Sequence, residues 1–181
     1  ADEINTCIGC NQACLDHVFN GKLTSCLVNP RACHELELTI KPAEQTKRVA
    51  VIGAGPAGLA AAVTAASRGH AVTLYDKDDK TGGQFNIARQ IPGKEEFNET
   101  LRYFDRQLEL HNVTVKLNTE ATAALLNDEC FDEVIIATGI FPRIPDIEGI
   151  DNDKVLSYVD VIKGKKPIGQ KVAIVGAGGI G

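Results

Sequence analysis

The sequence predicts an α/β fold with a parallel sheet, preceded by a small irregular segment. Three observations support this prediction. From residue 47 onward, short apolar runs alternate with helical patterns, which is typical of parallel strands joined by helices. A glycine-rich turn joins the first apolar run to the first helix. Five of the six cysteines lie within the first 33 residues, where neither strand nor helix periodicity is visible.

The elements follow one another in regular order. The apolar run at residues 49–52 predicts a buried parallel strand. Small residues at 57–68 predict a helix that Gly69 ends, and residues 71–75 predict the next strand. At residues 94–111 a helix is predicted by apolar residues at helical spacing on one face, namely Phe97, Leu101, Phe104 and Leu108.

Two further strands are predicted at residues 113–117 and 133–137, the second of them buried. The chain then becomes loop-like over residues 141–151, which contain two prolines. These patterns divide the chain into an irregular segment (1–40), an α/β domain (47–150) and a third part (151–181) that begins another strand and glycine turn.

Composition restricts the partners. The chain has 181 residues, 44% of them hydrophobic and 24% charged, which is the balance of a globular protein with a core. Its net charge of −5 argues against nucleic acid as a partner. No stretch approaches the ~20 apolar residues that span a membrane, and no signal peptide is visible. The absence of methionine predicts a piece of a longer protein, and reduced cysteines favour the cytoplasm.

The first cysteines have metal-ligand spacing. Cys7, Cys10 and Cys14 share one loop, and Cys26 follows eleven residues after the third. Four thiolates arranged in this way are what a cubane iron–sulfur cluster requires, since soft thiolate selects iron–sulfur or zinc. Structural zinc is the alternative, although zinc sites usually show two short-spaced pairs.

Four other side chains are weaker ligand candidates. Cys33 is interpreted as a buried thiol near the site, and His17 and His34 as surface residues or neighbours of the ligands. Cys130 is interpreted as a small residue before a strand.

The first glycine motif predicts a dinucleotide site. In it, Gly53 allows a tight turn, Gly55 lets a pyrophosphate approach the backbone, and Gly58 permits close packing of helix and strand. The helix N-terminus offers free N–H groups to the phosphates. Asp76, at the end of the second strand, has the right spacing to accept hydrogen bonds from a ribose.

Later glycines favour FAD over NAD. Gly82 and Gly83 follow Asp76 closely, where a second approach to the pyrophosphate is useful, and residues 137–139 (Ala-Thr-Gly) end a strand as in flavoproteins with two dinucleotide sites. A second glycine motif occupies residues 176–181, and the sequence stops at its third glycine. Because a helix must supply the donor N–H groups, we expect this chain not to bind NAD(P)H.

The stretches CIGCNQAC, TSCLVNPRACHE, VIGAGPAG and TGGQFNIARQIPGKEEF closely resemble the bacterial NADPH-dependent 2,4-dienoyl-CoA reductases, relatives of trimethylamine dehydrogenase and Old Yellow Enzyme. The resemblance implies an FMN-bearing barrel, a cluster segment with a FAD domain, and a NAD(P)H domain, of which this chain is the middle piece. It further implies an electron relay from NADPH through FAD and a 4Fe–4S cluster to FMN.

By this resemblance the cluster ligands are Cys7, Cys10, Cys14 and Cys26. The implied FAD contacts are Gly53, Gly55, Pro56, Ala57, Gly58, Asp76, Gly83, Gln84, Arg102, Ala121, Thr138 and Gly139. Ala121 is expected beside the adenine, and Arg102 is expected either to face a phosphate or to be a solvated helix charge.

Two alternatives remain open. The same fragment could belong to a related enoate reductase or amine dehydrogenase, because the substrate pocket would lie in the barrel. A different class is a zinc-stabilised nucleotide-binding module without redox activity.

Overall fold

A computed structural model describes residues 1–176. The chain divides into two compact units, Ala1–Ile140 and a second that begins at Phe141. Among the described residues, no helix has both the length and the apolar character needed to cross a membrane.

The first unit contains a parallel four-stranded sheet in the order β3-β2-β1-β4. Its strands are β1 (Arg48–Ile52), β2 (Ala71–Tyr75), β3 (Thr114–Lys116) and β4 (Glu133–Ile136). Ile52 lies opposite both Tyr75 and Ile136, so these strands end at the same sheet edge. The predicted α/β fold is confirmed.

The two longest helices match the predicted ones. They are α2 (Pro56–Ser67) and α4 (Phe97–Leu110), and Gly69 follows α2 with φ +95°. The sequence did not predict the short helices, because four to six residues are too few to show a helical period. These are α1 (Leu15–Phe19), α3 (Phe85–Ala88), α5 (Ala123–Asp128) and α6 (Tyr158–Ile162).

The core lies where α2 and α4 pack against β1 and β2. Val51, Leu59 and Leu74 are fully buried there. Leu101 and Leu108 supply the apolar face of α4 and are 5% and 4% exposed. The remaining members of that face, Phe97 and Phe104, complete it: the ring of Phe97 lies 4.4 Å from that of Phe85, and Phe104 packs against the core.

The prediction that residues 133–137 form a buried strand is wrong in one respect. The strand forms, but all four residues of β4 are exposed, Ile136 by 76%. Within residues 1–176, β4 pairs with β1 alone. The apolar run therefore identified the strand, whereas its burial depends on a neighbour that this part of the chain does not provide.

The predicted strand of the second glycine motif is also not formed at residues 172–176, where Ile174 and Val175 are exposed. An extended segment becomes a strand by pairing its N–H and C=O groups with a neighbour, and no neighbouring strand pairs with it in the described part of the chain. The rest of this motif, residues 177–181, lies outside the described residues.

A polar network joins the end of β3 to the segment after α5. Lys116 Nζ donates to Glu129 Oε1 at 2.6 Å and to the Tyr75 hydroxyl at 3.4 Å. The hydrogen bond from Lys116 lowers the pKa of Glu129 below its ordinary 4.5, and the same bond raises the pKa of Lys116. The network thus holds β3 next to the segment that leads into β4.

This network predicts a dependence of stability on pH. Because folding lowers the pKa of Glu129, the pair stabilises the protein above the ordinary pKa of that carboxyl and loses this contribution as the pH falls through the lowered value. We expect Glu129→Gln to flatten the decline in the free energy of unfolding between about pH 6 and pH 3. Urea denaturation across that range measures it, with the exposed carboxylate variant Glu148→Gln as control. An equally steep decline in Glu129→Gln would contradict the assignment.

Candidate functional site: the sheet edge and the cysteine segment

Two glycines of the first motif are required by the fold itself. Gly53 has φ +104°, and a Cβ there would collide with the carbonyl oxygen of Ala137. A Cβ at Gly58 would collide with the carbonyl oxygen of Gly53. The N–H of Gly53 donates to the carbonyl of Tyr75 at 2.8 Å. The turn is therefore held by close backbone contacts to both β2 and β4.

The third glycine, Gly55, differs from these two. Its φ is −75°, a value open to any residue, and the nearest heavy atom to a Cβ built there is Gly83 Cα at 4.0 Å. Gly83 itself has φ +50°, and the N–H of Gly82 donates to the carbonyl of Ala54 at 2.7 Å. A Cβ built at Gly83 would lie 3.0 Å from Gly55 Cα. We give the name glycine cleft to the part of the sheet edge where the backbones of Gly55 and Gly83 approach each other.

Helix α2 begins at this cleft. Its N-cap is Gly55, which has no side chain to cap the helix, and Pro56 occupies the first turn. The first-turn N–H groups of Ala57 and Gly58 have no carbonyl one turn earlier within the helix to bond. Together with the positive end of the helix dipole they favour an anion at this position.

Asp76 lies directly after β2 and reaches the glycine turn. Its Oδ2 accepts the N–H of Ala54 at 2.6 Å, and its Oδ1 accepts the N–H of Asp78 at 2.9 Å. A carboxylate offers about four lone-pair positions, so capacity remains to accept hydroxyl groups. The predicted ribose contact at Asp76 fits this geometry.

The loop after β3 approaches Asp76 from the other side. The N–H of Thr119 donates to the carbonyl of Asp76, and the N–H of Asn118 donates to that of Asp78, both at 2.9 Å. Ala121, two residues beyond Thr119, is half-buried in this loop. Its expected position beside an adenine remains a prediction.

Gln84 joins the glycine cleft to the segment after β4. Its Nε2 donates to the carbonyl of Ile140 at 3.0 Å, and the N–H of Ala137 donates to Ile52 at 2.8 Å. Thr138 and Gly139 lie between those two anchor points. The structure therefore brings most of the predicted cofactor residues to one edge of the sheet.

Arg102 has other partners. Its Nε donates to Glu99 Oε2 at 2.8 Å, and its Nη1 and Nη2 donate to the carbonyls of Ala1 and Ile4 at 3.4 and 3.2 Å. This geometry favours a contact with the N-terminal segment over the predicted phosphate contact.

Sequence reasoning missed the backbone groups at this edge. The N–H groups of Ala54 and Asp78 hold the Asp76 carboxylate, and the carbonyl of Ile140 holds Gln84. The register of β1 and β2 could have indicated the bond between the Ala54 N–H and Asp76. Ile52 and Tyr75 are paired, and Ala54 and Asp76 follow them by two residues and one residue. Side-chain patterns carry no signal for the carbonyl of Ile140.

The cysteine segment is ordered by a few local hydrogen bonds. The N–H of Ser25 donates to the carbonyl of Ala13 at 2.8 Å, which joins the neighbours of Cys14 and Cys26. The N–H of Gly9 points at Cys7 Sγ, 3.4 Å away. The loop and the returning chain therefore meet where the predicted ligands lie.

The donor set fits a cluster in chemistry and in chain order. All six cysteines are free; Cys7 is exposed, while Cys10, Cys14 and Cys26 are half-buried. A backbone N–H aimed at a ligand sulfur is a feature by which proteins tune iron–sulfur clusters. In residues 1–176, however, no group of three or more His, Cys, Asp or Glu side chains converges as a metal site.

The weaker ligand candidates have local partners. His17 Nδ1 lies 2.9 Å from the carbonyl of Leu23, and His34 Nδ1 lies 3.0 Å from Glu37 Oε2. Cys33 is exposed, contrary to the interpretation of it as a buried thiol. Its position in a turn of exposed residues explains the difference. Cys130 is exposed as well and lies between α5 and β4.

A parallel sheet with a glycine turn, uncapped helix amides and an acidic residue at one edge defines a dinucleotide-binding α/β protein. Residues 47–181 match the model of the pyridine nucleotide-disulphide oxidoreductase family, and the chain belongs to that family. Membership implies binding of FAD or NAD(P).

Known proteins resemble the chain over nearly its whole length. A metal reductase of Desulforamulus reducens is 41% identical over 99% of the chain. The structure of a 2-naphthoyl-CoA reductase is 42% identical over 93% of it, with a TM-score of 0.90. A 6-hydroxypseudooxynicotine amine oxidase of Pseudomonas geniculata is 33% identical over 92%, with a TM-score of 0.79. The chain spans 28%, 26% and 27% of these relatives, respectively.

The contrast between Gly58 and Gly55 predicts unequal effects of an alanine on the free energy of unfolding. Gly58→Ala places a methyl group against the Gly53 carbonyl and should lower the free energy of unfolding by about 1–3 kcal/mol. Gly55→Ala makes an ordinary contact with Gly83 Cα at an ordinary φ. The gain from a less flexible unfolded chain is offset because alanine is a poorer N-cap than glycine, so the free energy of unfolding should change by less than about 1 kcal/mol. Urea denaturation of the flavin-free protein measures both. A loss of stability in Gly55→Ala as large as that in Gly58→Ala would show that the fold, and not a ligand, requires that glycine.

Proposed function

We propose that this chain is the electron-transfer portion of a NADPH-dependent 2,4-dienoyl-CoA reductase of unsaturated fatty acid β-oxidation. Residues 47–150 bind FAD, residues 1–40 hold a 4Fe–4S cluster, and residues 151–181 lead into a NAD(P)H domain. FMN and NADPH bind in other parts of the longer, cytoplasmic protein. Electrons pass from NADPH through FAD and the cluster to FMN.

The observation that carries the proposal is the glycine cleft. Neither the φ of Gly55 nor its surroundings require glycine in the empty protein. A ligand in contact with the backbone does require it, and the uncapped amides of α2 select an anionic one. A pyrophosphate meets both conditions.

The carboxylate of Asp76 supports binding of FAD rather than of a nucleotide with a phosphate on its ribose 2′ position. A carboxylate accepts hydrogen bonds from ribose hydroxyls, whereas it repels a phosphate on the same ribose. Gly83 supports FAD over NAD because it presents backbone on the second side of the cleft. We assign Gly53, Pro56, Ala57, Gln84, Ala121, Thr138 and Gly139 to the same site.

The four cysteines with metal-ligand spacing support the proposed 4Fe–4S cluster. We assign Cys7, Cys10, Cys14 and Cys26 as its ligands, with the N–H of Gly9 donating to the sulfur of Cys7. A bound cluster supplies transfer of single electrons between two flavins that are too far apart for a hydride. The chain's own part is to fix the position of the thiolates and to exclude competing ligands.

Exposed apolar surface supports a longer protein. Phe19 and Leu36 in the cysteine segment are 82% and 94% exposed, and Ile136 in β4 is 76% exposed. Surfaces of this kind mark contacts with further protein, which agrees with the share of its relatives that the chain spans. We assign the covering parts to the FMN barrel and to the chain that completes the FAD domain.

The proposed substrate class is supported by a single comparison. The similar 2-naphthoyl-CoA reductase acts on a CoA thioester, which supports an unsaturated acyl-CoA as substrate. Similarity to an amine oxidase supports the same fragment of an amine dehydrogenase as second candidate. Activity of the full-length protein on a dienoyl-CoA, compared with an enoate and a secondary amine, separates these candidates.

Flavin binding tests the cleft. Gly55→Ala should lower the affinity for FAD at least about tenfold without loss of fold, because its methyl group occupies the pyrophosphate position. Asp76→Ala should weaken FAD retention while leaving the iron content unchanged. Fluorescence titration with FAD measures both, and Gly169→Ala, at a position where a Cβ meets nothing within 4 Å, is the control outside the site. Unchanged affinity in both variants would refute the assignment of the FAD site.

Metal analysis tests the cysteine segment. Protein purified without oxygen should contain about four irons per chain with equivalent sulfide and the broad absorption of an iron–sulfur cluster. Cys14→Ser should lose the iron, whereas Cys130→Ser, at the exposed cysteine after α5, should keep it. Zinc in place of iron would instead favour a nucleotide-binding module without redox activity.

A further inference from the structure

The cysteine segment is attached to the α/β domain at both ends. At its C-terminal end, the N–H of Ala43 donates to the carbonyl of Arg68 at 2.8 Å, and Arg68 Nε donates to the carbonyl of Lys41 at 3.0 Å. Thr46 Oγ1 donates to the carbonyl of Gly69 at 3.1 Å. These bonds fix the connector to the end of α2.

Arg102 makes the attachment at the N-terminal end. Besides the bonds to the Ala1 and Ile4 carbonyls, its Nη1 lies 3.6 Å from Asp2 Oδ1. Glu99 accepts from Nε and so orients the guanidinium from within α4. With 30% of its side chain exposed, Arg102 is partly covered by the segment it holds. One planar side chain thus contacts three of the first four residues, namely Ala1, Asp2 and Ile4.

The turn that Arg102 holds leads directly to the predicted ligands. Asn5 follows Ile4, and its Nδ2 donates to the carbonyl of Val28 at 2.8 Å. Cys7 lies two residues beyond Asn5, and Cys26 lies two residues before Val28. Arg102 therefore binds the turn next to the Asn5–Val28 contact, and the three-cysteine loop and the chain that carries Cys26 both extend from that contact.

The neighbouring residue of α4 contacts the glycine cleft. Leu101 is 5% exposed, and a Cβ built at Gly82 would lie 2.8 Å from Leu101 Cδ1. Gly82 precedes Gly83, which faces Gly55 across the cleft. Consecutive residues of one helix thus contact the cysteine segment and the turn that borders the cleft.

We propose that Arg102 is a positioning residue that fixes the four-cysteine segment at a set distance and orientation from the glycine cleft. Its contacts are with Glu99 of its own helix and with residues 1–4. The consequence for electron transfer rests on the proposed function, whereas the docking of the segment is a property of the chain alone. Arg106 is a natural control, since it lies one turn along α4 and makes a more distant contact, 3.8 Å from Nη2 to Glu3 Oε1.

Hydrogen exchange tests the docking without any cofactor. The N–H of Ile4 donates to the carbonyl of Ala1 at 3.1 Å, within the turn that Arg102 holds. In Arg102→Met, which keeps an unbranched apolar stem, this amide should exchange about five- to tenfold faster, because two hydrogen bonds from a charged donor are lost. Arg102→Lys should recover part of the protection, and Arg106→Met should change it less than twofold. Exchange in β1 and β2 reports whether the domain remains folded. Unchanged exchange at Ile4, or an equal effect of Arg106→Met, would overturn the proposal.

A spectroscopic readout tests the positioning in the cofactor-loaded protein. With flavin and iron contents equal to those of the parent, Arg102→Met should broaden the electron paramagnetic resonance signal of the dithionite-reduced cluster, because the thiolates then occupy a wider range of arrangements. FAD affinity should stay the same. A signal as narrow as the parent's would overturn the positioning role. If no variant binds iron, the proposed cluster fails, while the exchange result still decides the docking.

Discussion

The structure depends on close contact between backbones at the carboxyl edge of the sheet. The turn after β1 packs against the end of β4 through Gly53 and against its own helix through Gly58, and neither position has room for a methyl group. These contacts set the start of α2, and therefore the direction in which its free amides point. A side chain at either position would move the helix away from the sheet and change both the core and the anion site.

The same edge shows how one residue can serve fold and site together. Asp76 accepts N–H groups from Ala54 and Asp78, which ties the glycine turn to the loop after β2. A carboxylate with two acceptor positions still free is held in place before any ligand arrives. Holding the group in advance lowers the entropy lost on binding, so the bonds that stabilise the turn also prepare the site.

The features that sequence predicted well are those with a local cause. Helix α4 was predicted because Leu101 and Leu108 recur on one face, and the glycine turn because its spacing is dictated by sterics. The burial of β4 was predicted wrongly, because an apolar run reveals a strand but not whether a neighbour covers it. The contact of Arg102 with the N-terminal segment could not be predicted, since the carbonyls of Ala1 and Ile4 lie about a hundred residues away in sequence and carbonyls carry no side-chain signal.

The order of the cysteine segment has a physical explanation in its attachments. Residues 1–40 contain a single short helix, and most of their large apolar side chains are exposed. Such a segment buries too little surface to offset the entropy of ordering its backbone. Pinning both ends, at Arg102 and at the connector beside Arg68, shortens the free chain and lowers the entropy that remains to be lost. A metal bound by the thiolates, as we propose, would then have to order one loop rather than forty residues, and the free energy of metal binding would be available for that step.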